Sequence, residues 1–454
     1  IPYFYGTDYW IYYSVHHYGG VPFVPSLLIV LLLSLYLSLY TGFFALLFSM
    51  KIKSTRLPAL LLAPLVWVSL EFARSYAITG FPWSSIGYSQ YRFLHMIQFA
   101  DITGIYGVSF LLLAINGALA DIYILKKREM EMPLFSPTPT AAGYGVLILT
   151  LIGAFAYGSY RLAETRPGEN VKVSIIQGSI EQDVKWEPSY RKKAMDIHTS
   201  LTNSVAAARP SLIVWPETAA PFYFERDKEL TSGLMEFSKT LDAFLLLGAI
   251  TVKDGDGTGG LRHANSAVLL DREGKVGYVY DKIHLVPFGE YVPLRPVLFF
   301  VNRLAEGIGE FVPGEKYIRA ETPFGSFGTP ICYEIIFPGL VRKFYQKGGD
   351  FIVTITNDAW FGTTSGPYQH WSMAVMRAVE NRKPVVRAAN TGISGFIDSS
   401  GRIIKQTKLF ERVALTADIR TDRTRTFYSK YGDLFSFFAI VITLLILMDL
   451  KRDR

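Results

Sequence analysis

The chain has a single cysteine, Cys332, among 454 residues. One sulfur excludes an intrachain disulfide and any multi-cysteine metal site. Charge is also scarce: 19% of residues are charged and 50% are hydrophobic, against about 25% charged in an average globular chain. That balance excludes a disordered chain. The seven histidines show no His-x-x-x-His pair with an acidic partner, so no zinc motif is present. The sequence also lacks a G-x-S-x-G elbow and a Walker loop. Gly255, Gly257 and Gly260 fit the spacing of a dinucleotide fingerprint. That motif needs a helix behind it, whereas Asn265 to Leu270 reads as a strand, so we expect a glycine-rich hairpin loop. The chain begins at Ile1 rather than a methionine, and we expect membrane spans to precede it.

Long apolar runs are present. Residues 18–50, 57–70, 102–120, 141–160 and 434–448 carry no charge. A bilayer-crossing helix needs about 20 apolar residues, so the first, third and fourth runs qualify outright. The second and last need flanking residues or tilt. Basic clusters fall between and after these runs: Lys51, Lys53 and Arg56; Lys126, Lys127 and Arg128; Lys451, Arg452 and Arg454. With all three clusters on the cytoplasmic side, five spans alternate without conflict, and everything from Arg161 to about Asp433 lies outside. The net charge of +7 is then largely topogenic. No basic face with readout residues supports a nucleic-acid partner.

From Val171 the pattern changes. Short β-branched runs at 171–177, 212–215, 244–250, 267–270, 275–280, 351–356 and 384–388 alternate with helix-compatible stretches at 190–208, 228–241, 338–346 and 368–381. This pattern predicts a layered α/β domain with a mixed sheet. The expected organisation is a helical membrane bundle over 1–160, an α/β domain over 161–432, and a last span with its tail over 433–454.

Three polar residues stand where predicted strands end, which is where open α/β sheets collect ligands. Glu217 closes Leu-Ile-Val-Trp-Pro-Glu, Lys282 follows Tyr280-Asp281, and Cys332 lies in Gly-Thr-Pro-Ile-Cys-Tyr-Glu. A thiol attacks as thiolate, a carboxylate in reach takes its proton, and an ammonium holds the oxyanion that forms on a carbonyl. The ammonium, together with a helix N-terminus at Pro338, is expected to lower the thiol pKa. Taken singly, each residue also has a structural explanation: a buried small hydrophobe for Cys332, a solvated strand end for Glu217 and Lys282.

These three contexts resemble the Glu-Lys-Cys triad of the nitrilase superfamily. The fit is closer to its membrane branch, the apolipoprotein N-acyltransferases, and covers nearly the whole chain. It includes Phe81-Pro-Trp-Ser-Ser-Ile-Gly-Tyr-Ser-Gln90, Gln177 to Trp186, Asn357-Asp-Ala-Trp-Phe-Gly362 and Gly366-Pro-Tyr-Gln-His370. The resemblance implies a nitrilase-like α-β-β-α sandwich on the periplasmic side of an inner-membrane helical bundle. By motif match, Cys332 is the nucleophile, Glu217 the general base and Lys282 the oxyanion stabiliser. Glu290 orients the lysine, Tyr333 and Glu334 flank the nucleophile, and Trp186 lies in the substrate region. The implied reaction moves an acyl chain from a phospholipid, phosphatidylethanolamine by analogy, to a diacylglyceryl apolipoprotein. It requires no metal or organic cofactor, and we expect a monomer.

Aromatics near these positions (Phe222, Phe299, Phe300, Trp360 and Phe361) are expected to act as apolar arms that admit acyl chains at the bilayer surface. Two rivals remain at this point. One is a membrane-anchored amidase or nitrile hydrolase with the same triad, resolved by water. The other is a non-catalytic receptor, against which a complete triad argues.

Overall fold

A computed structural model describes residues 1–54, 57–131, 141–165, 167–182, 187–253, 262–292 and 311–448. Trp186, Phe299, Phe300, the 255–260 glycine cluster and the basic residues after 448 lie outside the described residues. The chain forms two compact units, one of Ile1–Asp8, Val30–Thr165 and Thr426–Arg454, the other of Tyr9–Ile29 and Arg166–Arg425.

The first unit is helical. Among the described residues, three stretches within the helices Phe23–Ser54, Ile105–Glu131 and Ala141–Ala163 are long and apolar enough to cross a membrane: Phe23–Ile52, Ile105–Tyr123 and Ala142–Ala163. The two weaker sequence runs form the helices Ala59–Arg74 and Leu434–Met448, of 16 and 15 residues. At 1.5 Å per residue they reach only about 22–24 Å, short of a ~30 Å hydrocarbon core. Both pack against Ile105–Glu131 and against each other. Close approach is possible because Gly117 has no side chain: a Cβ there would stand 2.3 Å from the Ala59 carbonyl oxygen, the small-residue contact that membrane helices favour. Asp121 caps the same crossing, its two carboxylate oxygens each accepting from the Ala59 and Leu60 amides at 2.9 Å. Those amides head a helix and have no partner within it. At the other end, Glu71 Oε1 accepts from the Ile86 amide at 2.9 Å and Arg74 Nη2 donates to Ser85 Oγ at 3.2 Å. The charged residues that interrupt the second apolar run therefore anchor the Phe81–Gln90 loop, with Trp83 fully buried beneath it.

Among the described residues the second unit contains thirteen strands: β1 Asn170–Gln177, β2 Leu212–Val214, β3 Ala220–Phe224, β4 Phe244–Lys253, β5 Arg262–Leu270, β6 Val276–Asp281, β7 Ala320–Thr322, β8 Gly325–Gly328, β9 Phe351–Thr356, β10 Val385–Ala389, β11 Gly395–Ile397, β12 Ile403–Gln406 and β13 Val413–Arg420. One sheet has the order β13-β1-β2-β4-β5-β6 with β3 also on β4, and the other runs β12-β11-β10-β9-β8-β7. Both are mixed. β1, β2 and β4 are parallel and largely apolar, as are β8, β9 and β10, while antiparallel strands extend each edge. Near-continuous apolar runs are what strands covered on both faces require. The sheets meet through β1 and β10. Helices Pro188–Ser204 and Lys228–Lys239 cover the first sheet, Pro338–Tyr345 and Gly366–Asn381 the second. The result is an α-β-β-α sandwich. The antiparallel β4–β5 pair disposes of the dinucleotide fingerprint, because a strand and not a helix follows the glycines.

Two features depart from the sequence-based expectation. Residues Tyr9–Ile29 belong to the α/β unit: Trp10 meets Phe361 edge-on with centroids 4.7 Å apart, Tyr18 meets Trp360 at 5.0 Å, and Ser14 Oγ donates to the Trp360 carbonyl at 2.6 Å. Secondly, Phe222 is not an apolar arm. It lies on β3, 1% exposed, in the core cluster with Trp215, Leu234 and Leu245. Alternation along a strand turned Phe222 and Phe224 inward together.

Candidate active site

Each of the three sequence-derived residues follows a strand. Glu217 comes after β2, on a backbone pressed against Gly248 of β4: a Cβ at Gly248 would stand 2.6 Å from Glu217 Cα. Lys282 directly follows β6. Cys332 opens a 3-10 turn, Cys332–Ile336, just after Ile331 bridges to Ile355 of β9. Its φ of 50° is left-handed, a strained conformation for a residue with a side chain and one that recurs at functional sites.

The tertiary fold gathers them. Lys282 Nζ lies 3.0 Å from Glu290 Oε1 and 3.4 Å from Glu217 Oε1, with the lysine 1% exposed. Asn265 of β5 was not singled out in the sequence, yet its Nδ2 donates to the same two oxygens at 2.8 Å each. The second oxygen of Glu217 accepts from the Asn357 amide at 2.9 Å. The second oxygen of Glu290 accepts from the Val286 amide at 2.8 Å. Asn390 Nδ2 holds the Asn357 side chain at 3.0 Å and the Ile180 carbonyl at 2.8 Å. Every carboxylate oxygen here faces a donor, as buried carboxylates must.

Electrostatics set the protonation states. Burial opposes charge on Lys282, but Glu290 and Glu217 outweigh it and raise its pKa above the ordinary value, so the ammonium is retained. For Cys332, burial is the largest influence and Glu217 the next; both push the thiol well above its usual range, and Lys282 only partly offsets them. This reverses the expectation of a lowered thiol pKa. Two carboxylates and one ammonium already leave the centre negative, and a thiolate would add a second net negative charge in a low-dielectric pocket. The resting cysteine is a neutral thiol beside a base.

Glu334 couples the nucleophile turn to the lysine loop. One oxygen accepts from the amides of Ile283 at 2.8 Å and His284 at 3.0 Å and from the Tyr280 hydroxyl at 2.8 Å; the other accepts from the Ile331 amide at 2.7 Å. Burial pushes its carboxyl up to about 7, with these donors pulling the other way. Tyr333 packs on Phe337 and His284 at centroid distances of 5.2 and 5.8 Å.

Behind the turn lies a buried polar wall. His370 Nε2 stands 3.1 Å from the Cys332 carbonyl oxygen, and a carbonyl only accepts, so this nitrogen carries the proton. Its Nδ1 lies 2.9 Å from both Asp358 Oδ1 and Arg387 Nη2, and Arg387 Nη2 donates to Asp358 Oδ2 at 2.8 Å. Burial and then Arg387 lower the His370 pKa, so the ring is neutral. Asp358 is buried, but Arg387 holds its carboxyl far below the ordinary range. In the sequence Asp358 and His370 lie within the resemblance motifs, but Arg387 sits mid-strand and carries no signal of its own. Phe361, expected as an arm, is buried between Trp10 and His370, with centroids 4.7 and 5.8 Å away. Trp360 is 38% exposed.

A two-sheet sandwich with glutamate, lysine and cysteine at adjoining strand ends defines the class of carbon–nitrogen hydrolases. Residues 172–428 match the family described as "Carbon-nitrogen hydrolase", and residues 1–118 match "Apolipoprotein N-acyltransferase N-terminal domain". The apolipoprotein N-acyltransferase of Geobacter metallireducens is 43% identical over 95% of this chain and 81% of its own length. That of Pasteurella multocida is 33% identical over 93% and 80%. Among solved structures, an amidase of the nitrilase superfamily from Nesterenkonia AN1 is 18% identical with a TM-score of 0.43, over 56% of this chain and 93% of the other. The chain belongs to the apolipoprotein N-acyltransferase family.

Proposed function

We propose that this enzyme transfers an acyl chain from a phospholipid, through a thioester on Cys332, to the α-amino group of the S-diacylglyceryl-cysteine that begins an apolipoprotein. Lys282 between two carboxylates, close enough to Cys332 to act on its charge, carries this reading. The named relatives and the N-terminal family match favour acyl transfer over hydrolysis.

Glu217 takes the Sγ proton as sulfur attacks the ester carbonyl carbon. Lys282 and backbone amides of the Cys332 turn hold the tetrahedral oxyanion. Collapse breaks the ester C–O bond, Glu217 returns the proton to the leaving oxygen, and a lysophospholipid departs. The lipoprotein amine then attacks the thioester, gives a proton to Glu217, and expels the sulfur, which is reprotonated. An ester and an amine have become an alcohol and an amide, a downhill exchange without ATP. Two substrates using one site in turn give ping-pong kinetics. Because the thiol is neutral at rest, proton removal and attack belong to one step. Glu290 orients Lys282, while Tyr333 and Glu334 shape the turn.

The donor in this reading is phosphatidylethanolamine, and the enzyme acts as a monomer in a bacterial inner membrane with the α/β unit facing the periplasm. Apolar helices and a lipid donor and acceptor support that location. Trp186, Phe299, Phe300 and Trp360 are proposed to meet acyl chains.

Intact-mass measurement after incubation with phosphatidylethanolamine tests the mechanism. The expected result is one acyl group on the wild-type protein, none on Cys332→Ala, and loss of the adduct when a diacylglyceryl-cysteine peptide is added. Loss of the adduct in water alone at the same rate would replace the transferase with a hydrolase.

A further inference from the structure

We infer that Phe288 is an acyl-chain contact that sets chain-length preference at this site, a proposal that rests on the acyl-transfer reading above.

Phe288 lies in the short loop between Lys282 and Glu290. The loop is closed by its own backbone: the Gly289 and Glu290 amides donate to the Val286 carbonyl at 3.2 and 2.9 Å, and the Phe288 amide donates to the Tyr291 carbonyl at 2.8 Å. Glu290 ties it further by accepting from the Val286 amide. In this loop the φ of Phe288 is 62°. A bulky side chain is a rare outlier there, whereas glycine adopts that conformation without penalty. The chain does carry a glycine, but one residue later, at Gly289, whose φ is not left-handed.

The ring gains only partial burial in exchange. Phe288 is 51% exposed, in a loop whose neighbours Lys282 and Glu290 are largely buried. Backbone strain and exposed apolar surface both disfavour this residue in the free protein. Strain of this kind persists where surrounding structure enforces it and concentrates at ligand clamps. The residue two positions away is Glu290, whose carboxylate touches Lys282 Nζ at 3.0 Å. A ligand that covers an exposed aromatic ring on the loop that carries Glu290 is apolar, and the substrate class that brings a long apolar segment to this centre is a fatty acyl ester.

The test uses the full-length enzyme in detergent and two phosphatidylethanolamines, one with sixteen-carbon and one with six-carbon chains. Phe288→Gly relieves the strain and removes the ring. Phe288→Asn tolerates the same backbone and replaces the ring with a polar group. Both variants should keep or raise the thermal midpoint. In both, the ratio of kcat/KM for the long donor to that for the short one should fall about tenfold, the scale set by losing part of one buried aromatic contact. Equal loss on both donors would assign Phe288 to the geometry of the Glu290 loop and overturn the proposal, as would an unchanged ratio. A wild-type enzyme that forms no thioester with either donor would instead overturn the transferase reading itself.

Discussion

Glu217 and Glu290 are held side by side by the same two donors: Asn265 Nδ2 stands 2.8 Å from one oxygen of each, and Lys282 Nζ bridges that same pair of oxygens at 3.4 and 3.0 Å. Like charges this close destabilise each other unless cations and N–H groups offset them. The pairing explains why the lysine stays protonated, while burial and then Glu217 keep the neighbouring thiol from ionising.

Glu217→Gln should separate thiol reactivity from catalysis. Glu217 raises the Cys332 pKa, so its neutralisation increases the thiolate fraction at a given pH. Alkylation by iodoacetamide should therefore be faster in the variant at pH 8, while acyl transfer is lost for want of a base. In the wild type, alkylation should keep rising past pH 8.5, where an unperturbed thiol is half ionised. A plateau near neutrality would contradict the neutral-thiol resting state.

Lys282→Met should lower kcat on the order of 10²–10³, the usual effect of removing an oxyanion donor. It also leaves two buried carboxylates facing each other without their shared cation, so the thermal midpoint should fall as well.

Glu334→Gln should slow thioester formation. Four donors converge on this carboxylate, and an amide nitrogen accepts none of them. Each unsatisfied buried donor costs about 1–3 kcal/mol, so the thermal midpoint should fall too. The wild type has its own pH signature. Its folded-state pKa of about 7 lies above the ordinary value, so protonation favours the folded state. This group makes stability rise as pH falls from about 7 toward 4.5, while activity falls over the same range because the protonated carboxyl gives up one accepted bond. Parallel loss of both would argue against this role.

Asp358→Asn should destabilise the α/β unit by about 3–5 kcal/mol, since it strands the buried Arg387 charge. Asp358 is held below the ordinary carboxylate range. Its stabilisation is therefore complete above about pH 4 and is lost only as pH falls through its depressed folded-state pKa. The wild-type-to-variant difference in denaturant midpoint should stay flat from pH 5 to 8.

Much of this protein is written locally. Apolar runs mark membrane-length helices, because a bilayer demands length and hydrophobicity in consecutive residues. The strand Phe351–Thr356 has the bounds its sequence predicts, because a buried parallel strand reads as a short run of β-branched and apolar residues. Glu217, Lys282 and Cys332 were legible because each stands at the end of such a run. Other features depend on contacts between distant positions, which no local pattern encodes. Asn265 lies inside a strand, and its role exists only because β5 passes beside β6 and β4. Arg387 is a charge in a buried strand whose partner lies in another loop. Phe222 has an arm's composition and a core residue's place. The thiol's protonation state was decided last of all: a nearby ammonium argued for ionisation, but burial and an adjacent carboxylate prevailed, and both arise only when the chain is folded.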